Sequence, residues 1–323
     1  MNKKLRSLLV VVPLVVVLLV VVLWIIFTFC VYQRADMHAD ISVSSPKFTF
    51  ETSPRVLFDS GHGNFHDINT TYAPFARLMK NDGILLHTHE GSFTEKTLED
   101  SELLIIANAT PREDQGVEAS SAFTENEIHI LTKWIQDGGS LLLIADHDPF
   151  GSAASELAKA FGVGMSSVWA VDSLRFSEAI GKTTWLEFSE ENKGLGQHSI
   201  LQSEIPESAV RRVITFTGQS LSFDSTWTPI LQLSPYARNY YSRSEAKVAA
   251  SDTTTYFPVP GQSQLIASEY GNGRIVIAGE AAMFTAQEVR IFFNSYHAGF
   301  NYNGYDNKNL VLNIVHWLLH EID

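Results

Sequence analysis

Three ionisable residues in a row, Asp146, His147 and Asp148, end the apolar run LLLIADHDPFG. A carboxylate beside an imidazole is the pairing used in general acid–base catalysis, and it can also ligate a divalent metal. A second such group lies upstream in VLFDSGHGNFH, which contains Asp59, His62, Asn64 and His66. Asn108 closes the run LLIIAN, and Glu280 closes RIVIAGE. Asp146, His147 and Glu280 are the expected catalytic set. Asp59, His62, Asn64, His66, Asn108 and Asp148 are expected to hold a ligand, joined by Asp306 and Asn307 from the Tyr- and Asn-rich loop NYNGYDNKN. Some subset of Asp59, His62, His66, Asp146 and His147 is the candidate ligand set for a divalent metal, although the chain has no compact motif such as H-E-x-x-H.

Each of these residues also has a plainer use. Asp148 precedes Pro149, the order of an N-cap followed by a proline at N1. Asp146 and His147 can serve as a hydrogen-bonded structural pair, and Asp306 or Asn307 can cap the last helix. The glycines of SGHGN permit positive φ or close backbone approach whether or not a ligand is present.

The elements that must position these groups are legible in the apolar pattern. RVLFD, ILLHTH, LLIIANA and SLLLIAD read as short buried strands. TTYAPFARLMKNDG places Tyr72, Phe75, Leu78 and Met79 on one helical face, with Gly83 ending it. FTENEIHILTKWIQDGG carries a capping box in Thr124 and Glu127, and SAASELAKAFG is a further helix. QLIASEYGNGRIVIAGE reads as two strands joined at Gly271-Asn272-Gly273, and NLVLNIVHWLLH as a buried closing helix. Apolar strands alternating with amphipathic helices predict an α/β fold with a mostly parallel, doubly wound sheet. In such a sheet ligands bind beyond the carboxyl ends of the strands, where these polar groups fall. Between about residues 165 and 262 the pattern weakens into short β-like pieces, which predicts a β-containing insertion.

The N-terminus is of a different kind. Leu8 to Val31 carries no charge and, at about 1.5 Å per residue, is long enough to span a bilayer as a helix. It ends in bulky residues rather than a small-residue cleavage site, so it is expected to be an uncleaved anchor. Lys3, Lys4 and Arg6 precede it, which puts residues 1–7 in the cytoplasm and the main domain in the periplasm or outside the cell. Residues 32–54 read as a polar stalk and residues 55–323 as the folded domain. Cys30 is the single cysteine, so the domain has neither a disulfide nor a cysteine nucleophile. The four basic residues in 1–34 leave 19 basic against 36 acidic side chains beyond them, a net of −17. That charge argues against a nucleic-acid partner and is compatible with neutral sugars, cations or metal ions.

The segments VLFDSGHGNFH, FTENEIHILTKWIQDGGSLLLIADHD, YGNGRIVIAGEAAMFTAQ and GYDNKNLVLNIVHWLL together resemble the class I glutamine amidotransferase-like superfamily. Within it the resemblance is to DUF4350-type domains, similar to the intraflagellar-transport GIFT domain and to auxiliary domains of gliding-type ABC transporters. It covers roughly residues 55–165 and 262–320. It implies a flavodoxin-like sheet and places Ala145-Asp146-His147-Asp148 where amidotransferases carry a nucleophilic cysteine in a Gly-x-Cys-x-Gly elbow. The family's His-x-Glu pair is met here by Gly279-Glu280-Ala281, without the histidine. Glutamine hydrolysis by a thiolate is therefore excluded. Three readings stay open: a domain that binds a small ligand or glycan or assists an envelope or transport complex; a hydrolase using Asp146, His147 and Glu280, with or without a divalent metal; and an interaction module for a membrane partner.

Overall fold

The computed structural model describes residues 12–22, 24, 31–112, 121–176, 181–203, 205–241, 257–258, 262–292 and 294–323. In chain order its elements are β1 (Val31–Ala35), β2 (Val56–Asp59), α1 (Ala73–Asn81), β3 (Leu86–His89), α2 (Glu95–Leu98), β4 (Leu103–Ala107), α3 (Glu125–Gln136), β5 (Ser140–Ile144) and α4 (Phe150–Ala160). There follow β6 (Trp169–Asp172), β7 (Trp185–Ser189), β8 (Arg212–Phe216), β9 (Thr228–Gln232), β10 (Ala237–Tyr240) and β11 (Phe257–Pro258). The chain closes with β12 (Ser263–Tyr270), β13 (Gly273–Ala278), β14 (Ala286–Ile291), β15 (Asn294–Gly299) and α5 (Asn307–Leu318).

Seven strands form the central sheet in the order β3-β2-β4-β5-β13-β12-β9. The first five are parallel, and β12 and β9 extend the sheet antiparallel. Strands β2, β4, β5 and β13 are buried at every position. Continuous apolar runs, rather than alternating ones, are what two covered faces demand. One face packs α1 and α5 over Phe58, Ile105 and Leu142. The other packs α3 and α4 over Leu104, Leu143 and Ile277. The sheet is thus doubly wound and mostly parallel, as expected.

The capping box at Thr124 and Glu127 starts α3, and Gly83, at φ +84°, follows α1. The insertion is β-rich. Its β9 joins the central sheet, β7 pairs with β8, and β6, β10 and β11 form a small sheet.

Residues 32–54, expected as a stalk, lie on the domain. Strand β1 pairs antiparallel with β14, Val31 opposite Ile291 and Ala35 opposite Gln287. Ala39, Ile41, Val43 and Phe48 pack against the core. The physical reason is edge pairing: a strand needs no periodicity of its own when a neighbour supplies its hydrogen-bond partners. Residues 12–22 are helical, and their valine and leucine side chains are 43–69% exposed. Among the described residues no helix is long and apolar enough to cross a membrane. The expected cytoplasmic tail lies outside the described residues, as do positions 8–11, 23 and 25–30 of the expected anchor.

Candidate functional site

Parallel register brings the polar strand ends to one rim. Ala107 lies beside Ile144, and Ile144 beside Ala278, so Asn108, Asp146 and Glu280 follow from neighbouring strands. Asp59 ends β2 on the same side, next to His89. The expected residues then divide into a closed buried cluster, a sealed cap and an open crevice.

The closed cluster is built on His62. Its Nδ1 lies 2.9 and 3.0 Å from the two carboxylate oxygens of Asp59, and its Nε2 lies 3.0 Å from Oε1 of Glu127. A carboxylate only accepts, so both ring nitrogens donate and the ring is an imidazolium. Burial opposes the charge, but the bonds to Asp59 and Glu127 outweigh it and raise the His62 pKa above its ordinary value. Burial likewise works against an ionised Glu127. The N–H of Thr124, His62 and the Thr124 hydroxyl reverse that and bring its pKa down to about 2. Phe93 and Phe123 pack on the imidazolium at 4.6 and 4.8 Å between ring centroids. Asn64 accepts from the His62 N–H and donates to the Ala107 carbonyl, which fixes the loop. Asp59, His62 and Asn64 therefore hold the fold together here and do not line the crevice.

Glu280 forms the sealed cap. It is fully buried, and its two oxygens accept from the N–H groups of Ala282 and Met283 at 2.8 Å. Burial and the nearby charge of Asp146 push its pKa up, against the N–H groups of Met283, Ala282 and Phe216. Tyr72 lies close by and donates to the Ala281 carbonyl at 2.6 Å. Burial, Glu280 and Asp146 all raise its pKa.

The open crevice has a volume of about 770 Å³. One wall carries His66, Asn108, Asp146, His147 and Asp148. Asn108, at φ +50°, accepts the Asp146 N–H on its Oδ1 at 2.9 Å. Gln219, from the insertion, donates to the carbonyls of Ala145 and Asp146, both at 2.9 Å, and so pins the turn after β5. The His147 ring stacks on Trp169 at 5.0 Å, its Nδ1 is 3.0 Å from the Asp148 carbonyl, and its Nε2 is 4.0 Å from Asp146 Oδ1. His66 is buried, bonds Thr71 through Nδ1 and is held neutral, burial lowering its pKa to about 3.

Asp148 keeps its expected place at the crevice but caps no helix, whereas Asp306 and Asn307 leave it. Asp148 does not cap α4: Pro149 occupies the N-cap position with no side-chain cap bond, and Asp148 stands exposed at the crevice rim. Asp306 Oδ2 accepts the N–H groups of Arg211 and Arg212, and Asn307 bonds both backbone groups of Ile214. These two side chains fasten α5 to β8 and lie outside the crevice. Among the described residues no group of three or more His, Cys, Asp or Glu side chains is arranged to hold a metal ion. Asp59 is bonded to His62, and His62 in turn to Glu127, rather than converging with Asp146 and His147.

The facing wall was not anticipated. It comes from the insertion and the three-stranded sheet β1-β14-β15, and includes Gln33, Lys182, Trp185, Thr217, Gln287 and Tyr296. The Lys182 ammonium lies 3.7 Å from the centroid of the Trp185 ring and 3.5 Å from that of Tyr296. No periodicity marks these residues, because each reaches the wall from a separate element.

No family model matches the chain, and no curated protein matches it. Solved structures do. The mmIFT52 N-terminal domain is 16% identical, with a TM-score of 0.56, over 82% of this chain and 97% of that one. A cytoplasmic protein from Salmonella typhimurium is 13% identical with a TM-score of 0.42, over 82% and 98% of the two chains. A second cytoplasmic protein, from Salmonella typhimurium LT2, is 10% identical with a TM-score of 0.40, over 83% and 99%. The first of these shows a shared fold.

Proposed function

We propose that this is a membrane-anchored, extracytoplasmic domain of amidotransferase-like fold that lacks the cysteine nucleophile and binds a small polar ligand of the glycan class. The crevice carries this reading. Its volume lies within the range of small-molecule sites, and it sets amide, carboxylate and imidazole groups opposite aromatic faces and an ammonium. A sugar ring offers hydroxyls to the first wall and an apolar face to the second. The fold shared with the mmIFT52 N-terminal domain supports the reading at the level of architecture alone. The uncharged stretch from Leu8 to Val31 supports the anchor, as does the exposed apolar surface of residues 12–22, which a lipid phase would cover.

A hydrolase built on Asp146, His147 and Glu280 is the weaker reading. Glu280 is fully buried, and its two oxygens accept N–H groups of the turn that follows it. The test is a thermal-shift screen of the full chain in detergent against neutral, acidic and amino oligosaccharides, with reducing-end release followed in parallel. Stabilisation by a glycan that is lost in Trp185→Ala and Asp146→Asn, without turnover, is the expected result. Turnover abolished by Glu280→Gln would overturn the binding reading in favour of the hydrolase.

A further inference from the structure

The register of β1 fixes where the apolar N-terminal stretch meets the domain. Val31, the last residue of that stretch, lies opposite Ile291 at the end of β14, and Ile291 pairs in turn with Asn294 at the start of β15. The tip of the β14–β15 hairpin therefore stands beside the point where the chain enters from the apolar stretch. At that tip Phe292 is 47% exposed and adopts φ +54°. A left-handed position in a turn is usually filled by Gly or Asn, and a bulky residue there is an outlier. A large apolar side chain is thus held outward at a strained site.

Just inside the tip the residue types change. Arg290 is exposed, and the Arg34 guanidinium sits 4.5 Å over the Tyr32 ring. An apolar tip backed by Tyr and Arg is the pattern of a segment at the lipid–water boundary, where aromatic rings lie at headgroup level and basic side chains reach for the aqueous side. The same sheet is also a crevice wall, through Gln33, Gln287 and Tyr296. Gln33 is two residues beyond Val31, about 7 Å along a strand rising roughly 3.4 Å per residue. The headgroup layer of one leaflet is itself roughly 5–8 Å deep.

We propose that the β14–β15 hairpin rests in the headgroup layer of the bilayer with Phe292 inserted, so that the crevice opens at the lipid surface and takes its ligand from there. This rests on the anchor and the binding site proposed above. The net charge of −17 beyond residue 34 makes a zwitterionic surface the partner rather than an anionic one.

The test uses the full chain in phosphatidylcholine vesicles, with Cys30→Ser removing the native thiol. A single environment-sensitive label is placed at Phe292→Cys, at Arg290→Cys, or at Glu99→Cys. Glu99 bonds Arg55 just before β2 and so marks the opposite rim of the sheet. Phosphatidylcholine bearing a headgroup nitroxide is the quencher, and flotation reports vesicle association. Emission lost at 292 and 290 but kept at 99 is the expected result. Equal emission at all three sites in a chain that floats overturns the hairpin contact and leaves the anchor standing. A chain that does not float removes both. The 290 label serves if the 292 variant fails to show the parent's thermal unfolding.

Discussion

Replacing His62 with leucine tests the buried cluster most directly. The substitution removes the imidazolium from between Asp59, 0% exposed, and Glu127, 3% exposed, and leaves two carboxylates facing an apolar side chain. Removing one partner of a buried ion pair costs about 3–5 kcal/mol, because the remaining charge has lost both water and its counterion. At about 2–4 °C per kcal/mol for a domain approaching this size, the midpoint of thermal unfolding should fall by roughly 6–20 °C. The pH dependence has a fixed sign. His62 has its pKa raised above 6.5 by Asp59 and Glu127 against burial, so its contribution is complete below pH 6.5 and is lost as pH rises through the folded value. Glu127, lowered from 4.5 to about 2, contributes fully above pH 4.5 and loses that contribution as pH falls toward 2. The stability difference between the parent and His62→Leu, measured by urea unfolding, should therefore be largest between pH 4.5 and 6.5 and shrink on both sides. Adding Asp59→Asn to His62→Leu should restore part of the loss by removing an unpaired charge. The reasoning is refuted if His62→Leu costs less than about 1 kcal/mol, well under the cost of breaking such a pair. It is equally refuted if Asp59→Asn destabilises the leucine variant as much as it does the parent.

Substitutions at three other positions probe the rim. Glu280→Gln keeps one acceptor for the N–H groups of Ala282 and Met283 but turns its NH2 against the other, and should cost about 1–3 kcal/mol, whereas Glu280→Ala strands both N–H groups at about 1–3 kcal/mol each; chemical denaturation of the pair checks this. His66 is neutral when folded, burial holding its pKa at about 3, so acidification from pH 6.5 protonates the unfolded chain first and should remove stability at up to about 1.4 kcal/mol per pH unit. His66→Gln should flatten that slope in unfolding curves taken between about pH 4 and 6.5. Gly61→Ala would place a Cβ 2.2 Å from the Gly91 carbonyl oxygen, a backbone atom that cannot swing aside, and should cost about 1–3 kcal/mol or more in thermal unfolding.

The parallel core was legible because burial on both faces forces continuous apolar runs, and Leu103–Ala107 and Ser140–Ile144 have no other use. The capping box at Thr124 and Glu127 was legible because it is local. The second role of Glu127 was not, since its partner His62 lies 65 positions earlier and only the fold brings them together. Asp306 and Asn307 misled for the same reason: a polar loop before a helix looks like a binding loop until its acceptors are seen on the N–H groups of Arg211, Arg212 and Ile214. The crevice wall of Lys182, Trp185 and Tyr296 left no sequence signal, because a cage assembled from an insertion and a hairpin has no period to detect. The segment read as a stalk failed as a pattern because β1 takes its order from β14 rather than from its own residues.

A parallel sheet delivers its strand ends to one rim whatever the function, so the rim alone cannot distinguish chemistry from binding. What separates them is how the delivered groups are used. Asp59 is bonded to an imidazolium, Glu280 caps the turn that follows it, and Asn108 fastens the backbone of Asp146. The turn after β5, which carries Asp146 and His147, lines the crevice. Here Gln219 reaches from the insertion and holds two successive carbonyls of that turn. The turn has become part of a wall, and the insertion that closes it also brings Trp185 to the other side of the crevice. A rim stiffened in this way keeps a ligand-sized space open, and that is the observation behind the proposal of binding over turnover.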